Sequence, residues 1–230
     1  MSELMKNDRE VVIPGEEIVK SMDYLPGRNC FREKESIFAK RLGIVSVENR
    51  VISVIPLSGV YMPRAGDMVI GEVLEAQGNG WVVNVKAPYE GYLSLSGIRE
   101  FIDTNKTELS SIYAVGDAIY ASVESFSTAR SVYLSMEDPK NTKLRGGRMI
   151  EISPAKVPRL IGKQGSMIKM IKDKTGCRVI AGQNGLVWMQ GEREDVVLEA
   201  IALIEKEAHL SGLTDKVGMF LDSRMKEVKT

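Results

Sequence analysis

Histidine is almost missing from this 230-residue chain; His209 is the only one. A Ser-His-Asp or Cys-His site needs a partnered imidazole, and a metal site built on two histidines is ruled out. His209 falls late in a long helical pattern, where it reads as a satisfied or exposed helix-end residue. Cysteine is nearly as scarce. Cys30 and Cys177 stand far apart and form no C-x-x-C, so neither a disulfide framework nor a zinc site is indicated. No segment approaches the ~20 apolar residues of a membrane span. Residues 1–10 are polar and charged, unlike a signal peptide. Carboxylates are plentiful, but no compact cluster resembles that of a two-metal nuclease. The expectation is a soluble, cytoplasmic, non-catalytic binding protein with no cofactor, no metal and no membrane partner.

Net charge is also absent, with 31 basic residues against 31 acidic ones. Its distribution is uneven. Between Lys140 and Arg178 lie 11 Lys or Arg and 2 Asp or Glu, leaving 20 basic and 29 acidic residues elsewhere. Such a block suits a polyanion; the competing reading is a solvated charged face.

Inside the block stands Leu160-Ile161-Gly162-Lys163-Gln164-Gly165-Ser166. Two glycines flank two polar residues between apolar helical patterns. Glycine has no Cβ, so this backbone can approach another closely. A helix opening near Ser166 would aim its unpaired N–H groups at the loop, where they attract phosphate oxygens. Lys163 adds positive charge, and Arg159 and Lys169 flank it.

The flanking pattern gives the loop its context. Arg148 to Ile152 is a short β-like run. Pro154 to Leu160 fits a short helix, with Ser153 as N-cap and Pro154 at its first position. Met167, Ile168, Met170 and Ile171 form a helical apolar stripe stopped by Gly176. Cys177 to Ala181 and Leu186 to Gln190 read as strands joined by Gly182-Gln183-Asn184-Gly185, whose Asn-Gly pair signals a turn. Val197, Ala200, Ile201, Ile204 and Ala208 mark one face of a long helix. The order β-α-α-β-β-α with the glycine loop between the first two helices resembles the KH type I domain. That resemblance implies a clamp on the backbone of single-stranded RNA, made by Ile161, Gly162, Lys163, Gln164, Gly165 and Ser166 with Arg159 and Lys169.

Residues 64–137 read as five short strands: Asp67 to Val73, Trp81 to Val85, Gly91 to Ser96, Ala118 to Glu124 and Ser131 to Met136. The longest excursion lies between the third and fourth, as in an OB barrel. The Gly-Asp entries and the final Leu-Ser resemble the S1-type RNA-binding domain. That family carries two aromatics three apart on the second strand and a histidine on the third. Here Trp81 matches, while Gly78 and Ser94 take the other places. Base stacking is worth ~1–3 kcal/mol per base, so Trp81 is a stacking candidate, with a place inside the barrel as the alternative. Tyr92 and Tyr89 have the same two readings. Lys86, Arg99 and Arg130 are candidate phosphate contacts or plain surface.

Residues 1–63 are punctuated by proline and glycine. Ile44 to Val47 and Val51 to Ile55 suggest a hairpin around Glu48-Asn49-Arg50. A small β domain is expected, with little core of its own. The full division is therefore 1–63, a barrel at 64–137, a linker at 138–147, a KH domain at 148–210, and a helix or tail at 211–230. The fold class is multidomain, mainly β with α+β.

A small β domain, an S1-type barrel and a KH domain in this order resemble the RNA-binding cap subunits of the archaeal exosome. The shared features are the early Val-Ile-Pro-Gly, residues 160–168, and Gly182-Gln183-Asn184-Gly185. The resemblance implies three copies on a hexameric phosphorolytic ring, contacting ring subunits largely through the N-terminal domain. It also implies RNA guided into the pore, more efficient degradation and a preference for poly(A)-rich RNA. Gly182, Asn184 and Gly185 would form a structural turn packed on the barrel. Polynucleotide phosphorylase joins the same modules in the opposite order behind two catalytic domains, for which this chain has no room. A free-standing RNA-binding regulator with the same modules is the alternative.

Overall fold

The computed structural model describes residues 3–99, 108–126, 131–208, 210 and 212–227. The chain divides into two compact units, Met1–Gly59 and Val60–Thr230.

The first unit contains β1 (Glu3–Leu4), β2 (Val11–Val12), β3 (Glu17–Lys20), β4 (Leu25–Pro26), β5 (Cys30–Glu33), β6 (Ser36–Ala39), β7 (Gly43–Glu48) and β8 (Val51–Pro56). They form two sheets, ordered β1-β3-β6-β5 and β2-β7-β8-β4. The expected hairpin is β7–β8, with Glu48 opposite Val51. Asn49 (φ 49°) and Arg50 (φ 63°) form its two-residue turn, and positive φ at both positions suits the strands' right-handed twist. The expectation of little core is corrected. Val12, Ile18, Val19, Ile37, Ala39 and Ile52 are all 0% exposed, because alternating residues of the two sheets seal a shared interior.

The second unit opens with a barrel: β9 (Met68–Gln77), β10 (Gly80–Asn84), β11 (Gly91–Ser94), β12 (Ala118–Phe126) and β13 (Val132–Ser135). Its order is β13-β11-β10-β9-β12, and a β12–β13 pairing closes it. β11 and β13 run parallel; the other pairings are antiparallel. This is the closed five-stranded OB topology. The short helix α1 (Leu109–Ile112) sits in the excursion between β11 and β12. Two boundaries differ from expectation. Tyr61 belongs to the barrel core, and its hydroxyl donates to Asp67 Oδ2 at 2.6 Å, so the division falls after Gly59 rather than at residue 63. The expected linker contains β14 (Thr142–Leu144), which extends the sheet along β12. Burial of Leu144 beside Ile70 and Trp188 draws it there.

The KH domain follows. β15 (Arg148–Glu151), β16 (Arg178–Ala181) and β17 (Leu186–Gln190) form an antiparallel sheet ordered β15-β17-β16. Against one face pack α2 (Val157–Ile161), α3 (Ser166–Thr175), α4 (Glu194–Glu207) and α5 (Leu213–Glu227). Residues 211–230 were open between helix and tail; α5 is a helix whose Leu213, Val217 and Leu221 join this core. Ser153 makes no side-chain cap; its N–H donates instead to Glu205 Oε1 at 3.2 Å. Along β17 the side chains alternate between two buried faces. Val187 and Met189 meet the helices, while Leu186 and Trp188 meet Ile70 and Leu144 of the barrel sheet.

Candidate nucleic-acid interface

The glycine loop is built by α2 ending and α3 beginning within four residues. Gly162 caps α2 at φ 76°, ψ 174°, a region open essentially to glycine alone. A Cβ there would lie 2.7 Å from both Met167 N and Met167 Cβ. Gly165 is left-handed at φ 78°, ψ 11°, but a Cβ there would meet nothing within 4 Å. Gln164 is left-handed too, at φ 53°. Three left-handed residues in four turn the chain tightly enough for α3 to start at Ser166. No side chain caps that helix; the Ser166 N–H turns back to Lys163 O and the Gly165 N–H to Gly162 O at 3.2 Å, and the helix start points at the loop, where its dipole favours an anion.

Lys163, Gln164 and Ser166 are exposed, as are Arg159 on α2 and Lys169 on α3; Ile161, Gly162 and Gly165 are half-buried. Among the described residues, no carboxylate pairs with Arg159, Lys163 or Lys169. Two nearby lysines are occupied: Lys156 pairs with Glu205 at 3.8 Å and Lys174 with Asp222 at 2.6 Å. The loop thus offers solvent-facing cations beside a helix start that no side chain caps. A groove of about 360 Å³ runs beside it, between Pro158, Arg159, Gly162 and Lys163 on one side and Leu210, Gly212, Leu213, Thr214 and Asp215 on the other.

The second glycine turn does different work. Asn184 is 2% exposed. Its Nδ2 donates to Ile70 O at 2.7 Å and to Val85 O at 2.9 Å, and its Oδ1 accepts from Ile70 N at 3.2 Å. Gln183 joins Met68 by a backbone bond of 2.8 Å and a side-chain bond of 2.7 Å. Gly182 and Gly185 have no room for a side chain: a Cβ would collide with Asn184 Oδ1 at the first and Ile152 O at the second. This turn fastens the KH sheet to the barrel.

The barrel candidates fare unequally. Trp81 as a stacking platform is corrected, since it is 0% exposed. Its Nε1 donates to Tyr113 O at 3.0 Å and Leu109 O at 3.2 Å, and Tyr113 packs edge-on at 5.2 Å. The alternation that put Trp81 on one face with Val83 and Val85 put all three inside. Lys86 is exposed but pairs with Glu151 of β15 at 3.5 Å. Tyr92 is half-buried on the outer face, its ring perpendicular to Tyr133 at 6.4 Å. Arg130 lies outside the described residues.

Sequence reasoning missed Tyr133 and the groove wall formed by Leu210 and residues 212–215. Tyr133 was findable, because it alternates with the inward Val132 and Leu134. The wall was not, since nothing local says where α5 docks. Asp117 and Lys143 lock the barrel near α1 through a hydrogen-bonded ion pair. Burial raises the Asp117 carboxyl, but the Lys143 bond, the Ala114 N–H and the nearby positive charges outweigh it and hold it below its ordinary value.

A family model described as the KH domain matches residues 147–206, and one described as the S1 domain of RRP4 matches residues 60–125. Exosome complex component Rrp4 of Thermococcus kodakarensis is 42% identical over 235 residues, spanning 100% of this chain and 91% of that protein. The chain belongs to the Rrp4 family of exosome complex components. The Rrp4 protein of Methanothermus fervidus is 39% identical over 220 residues, covering 95% of this chain and 97% of that protein. A crystal structure assigned as an exosome complex RNA-binding protein is similar with a TM-score of 0.65 and 32% identity, covering 75% of this chain and 100% of that one. Family membership accords with the barrel and the KH sheet that follows it. Among the described residues, no helix is long and apolar enough to cross a membrane, and no group of His, Cys, Asp and Glu is placed to hold a metal ion.

Proposed function

We propose that this chain is a non-catalytic, RNA-binding component of an exosome, gripping single-stranded RNA through the loop at 159–169 while its N-terminal unit docks on ring subunits. The observation that carries the RNA reading is the exposed Gly162-Lys163-Gln164-Gly165 turn, with unpaired Arg159, Lys163 and Lys169 over an uncapped helix start. Backbone clamping needs this combination: donors for phosphate, positive charge and no bulk in the way. Tyr92 lies on the barrel's outer face, where it is open to a base.

The docking reading draws on the first unit's surface. Val11 pairs with Ile44 and Ile44 with Ile55, so the three form one row across the sheet. Val11 is 54% exposed and Ile55 57%. Leu42 and Leu57, also exposed, extend the row. An apolar strip of this kind suits a protein interface. In the full proposal, three copies cap a hexameric phosphorolytic ring in the cytoplasm, raise RNA capture and degradation, and favour poly(A)-rich substrates.

Filter binding with single-stranded RNA tests the clamp. Replacing Lys163 and Gln164 together by Asp is expected to weaken binding by roughly ten- to a hundredfold. Wild-type affinity should fall with salt at a slope of about −0.7 per neutralised phosphate. Unchanged binding by the double variant would remove the loop from the RNA path. Co-elution with ring subunits separates the cap reading from a free-standing regulator, which would elute alone.

A further inference from the structure

The groove beside the clamp carries charges of both signs that do not meet. Arg159 and Lys163 stand on one wall and Asp215 on the other. All three are exposed, and among the described residues none has an ion-pair partner. Other charges of the helical layer are matched: Lys156 pairs with Glu205, Lys174 with Asp222, and Lys216, next to Asp215, with Glu207 at 2.6 Å. The lining also includes two apolar side chains, Met167, which is buried, and Leu210, which is 43% exposed. At about 360 Å³ the groove falls at the small end of ligand sites, ~300–1,000 Å³.

We propose that this groove takes the base of a nucleotide adjoining the clamped phosphates, and that Asp215 selects bases bearing an exocyclic amine over uracil. The inference rests on the RNA reading of the clamp. A strand held by its backbone leaves its bases splayed and free to enter a neighbouring pocket. The cations on the clamp side belong to the phosphates. The exposed Leu210 side chain receives a base face, and Asp215 on the same wall offers a carboxylate, which only accepts hydrogen bonds. Cytosine presents an N4 amine there, as adenine and guanine present theirs; uracil presents O4, an acceptor that repels the carboxylate, and its one pairing-edge donor, N3–H, sits a position away. An acidic residue in the first turn of a helix is also favoured by the helix dipole, so the test reads base discrimination rather than stability.

Cytidylate and uridylate decamers are near-isosteric probes that differ at the 4-position and, with it, at N3, which accepts in cytosine and donates in uracil. Wild-type full chain is expected to bind the cytidylate decamer about tenfold tighter at low salt. Asp215→Ala should bring the ratio to about one. Asp215→Lys, whose ammonium donates to O4, should carry it below one. A wild type without a cytosine preference, or a ratio unmoved in both variants, overturns the assignment of Asp215. The Lys163→Asp, Gln164→Asp double variant separates the two levels. If it loses both probes while the Asp215 variants leave the ratio alone, the clamp stands and the groove falls. If it binds both as wild type does, the clamp reading falls as well.

Discussion

The KH domain contains two Gly-x-x-Gly turns that have come to opposite ends. Gly162-Lys163-Gln164-Gly165 faces solvent with its lysine unpaired. Gly182-Gln183-Asn184-Gly185 is sealed against the barrel, with Asn184 2% exposed and its amide fully engaged by Ile70 and Val85. The glycines serve different needs. In the first turn both residues are left-handed, which bends the chain sharply into α3. In the second, Gly182 has an ordinary φ and is glycine because Ile70 N would stand 2.7 Å from a Cβ. The spacing of two glycines therefore fixes neither role. The residues between them decide: a long cation reaches water, whereas a short amide saturates backbone groups in a confined space.

The largest effect that can break this contrast is expected at the seam. Asn184→Ala strands the Ile70 N–H and C=O and the Val85 C=O in a dry joint, at about 1–3 kcal/mol for each group left unsatisfied. Denaturant unfolding should show a loss of about 3 kcal/mol or more. Next comes Gly162→Ala, which needs both a forbidden φ/ψ and space already held by Met167; about 2–3 kcal/mol is expected by the same method. Gly165→Ala meets only the left-handed penalty, about 1–2 kcal/mol. The Lys163→Asp, Gln164→Asp double variant should stay within about 0.5 kcal/mol of wild type, although it impairs RNA binding. A Lys163→Asp, Gln164→Asp double variant as destabilising as Asn184→Ala would erase the distinction.

Ion pairing divides along the same line, and its effect is the smallest. Lys143 is committed to Asp117 in the barrel, while the clamp's cations are left open. The Asp117 carboxyl lies below its ordinary value of 3.8. Its stabilising contribution is therefore complete above that value and disappears as pH falls through the lower folded-state value. Asp117→Asn should flatten the acid limb of a stability–pH curve; an unaltered limb would show that the pair contributes nothing there.

Much of the KH order was legible because its signals are local. The stripe at Met167 and Ile171, the stop at Gly176 and the Asn-Gly turn each depend on near neighbours. The barrel strands were legible for the same reason. What escaped depends on which face a neighbour covers. Trp81 shares its face with Val83 and Val85, yet alternation alone does not say whether a shared face is inside. Leu186 and Trp188 read as one side of a strand, but only the barrel's presence buries them. Residues 138–147 looked like a linker, and Leu144 turned inward because Ile70 and Trp188 offered it a cavity. The clamp was found from sequence as a loop; the groove beside it needed α5, whose docking rests on contacts such as Arg224 with Glu199 at 2.6 Å.

Photocrosslinking of single-stranded RNA to the intact chain, with adducted residues mapped, addresses the central distinction most directly. Adducts are expected within residues 159–169 and not within 182–185. Adducts at 182–185, or a set that skips 159–169, would contradict the assignment of one turn to RNA and the other to the seam.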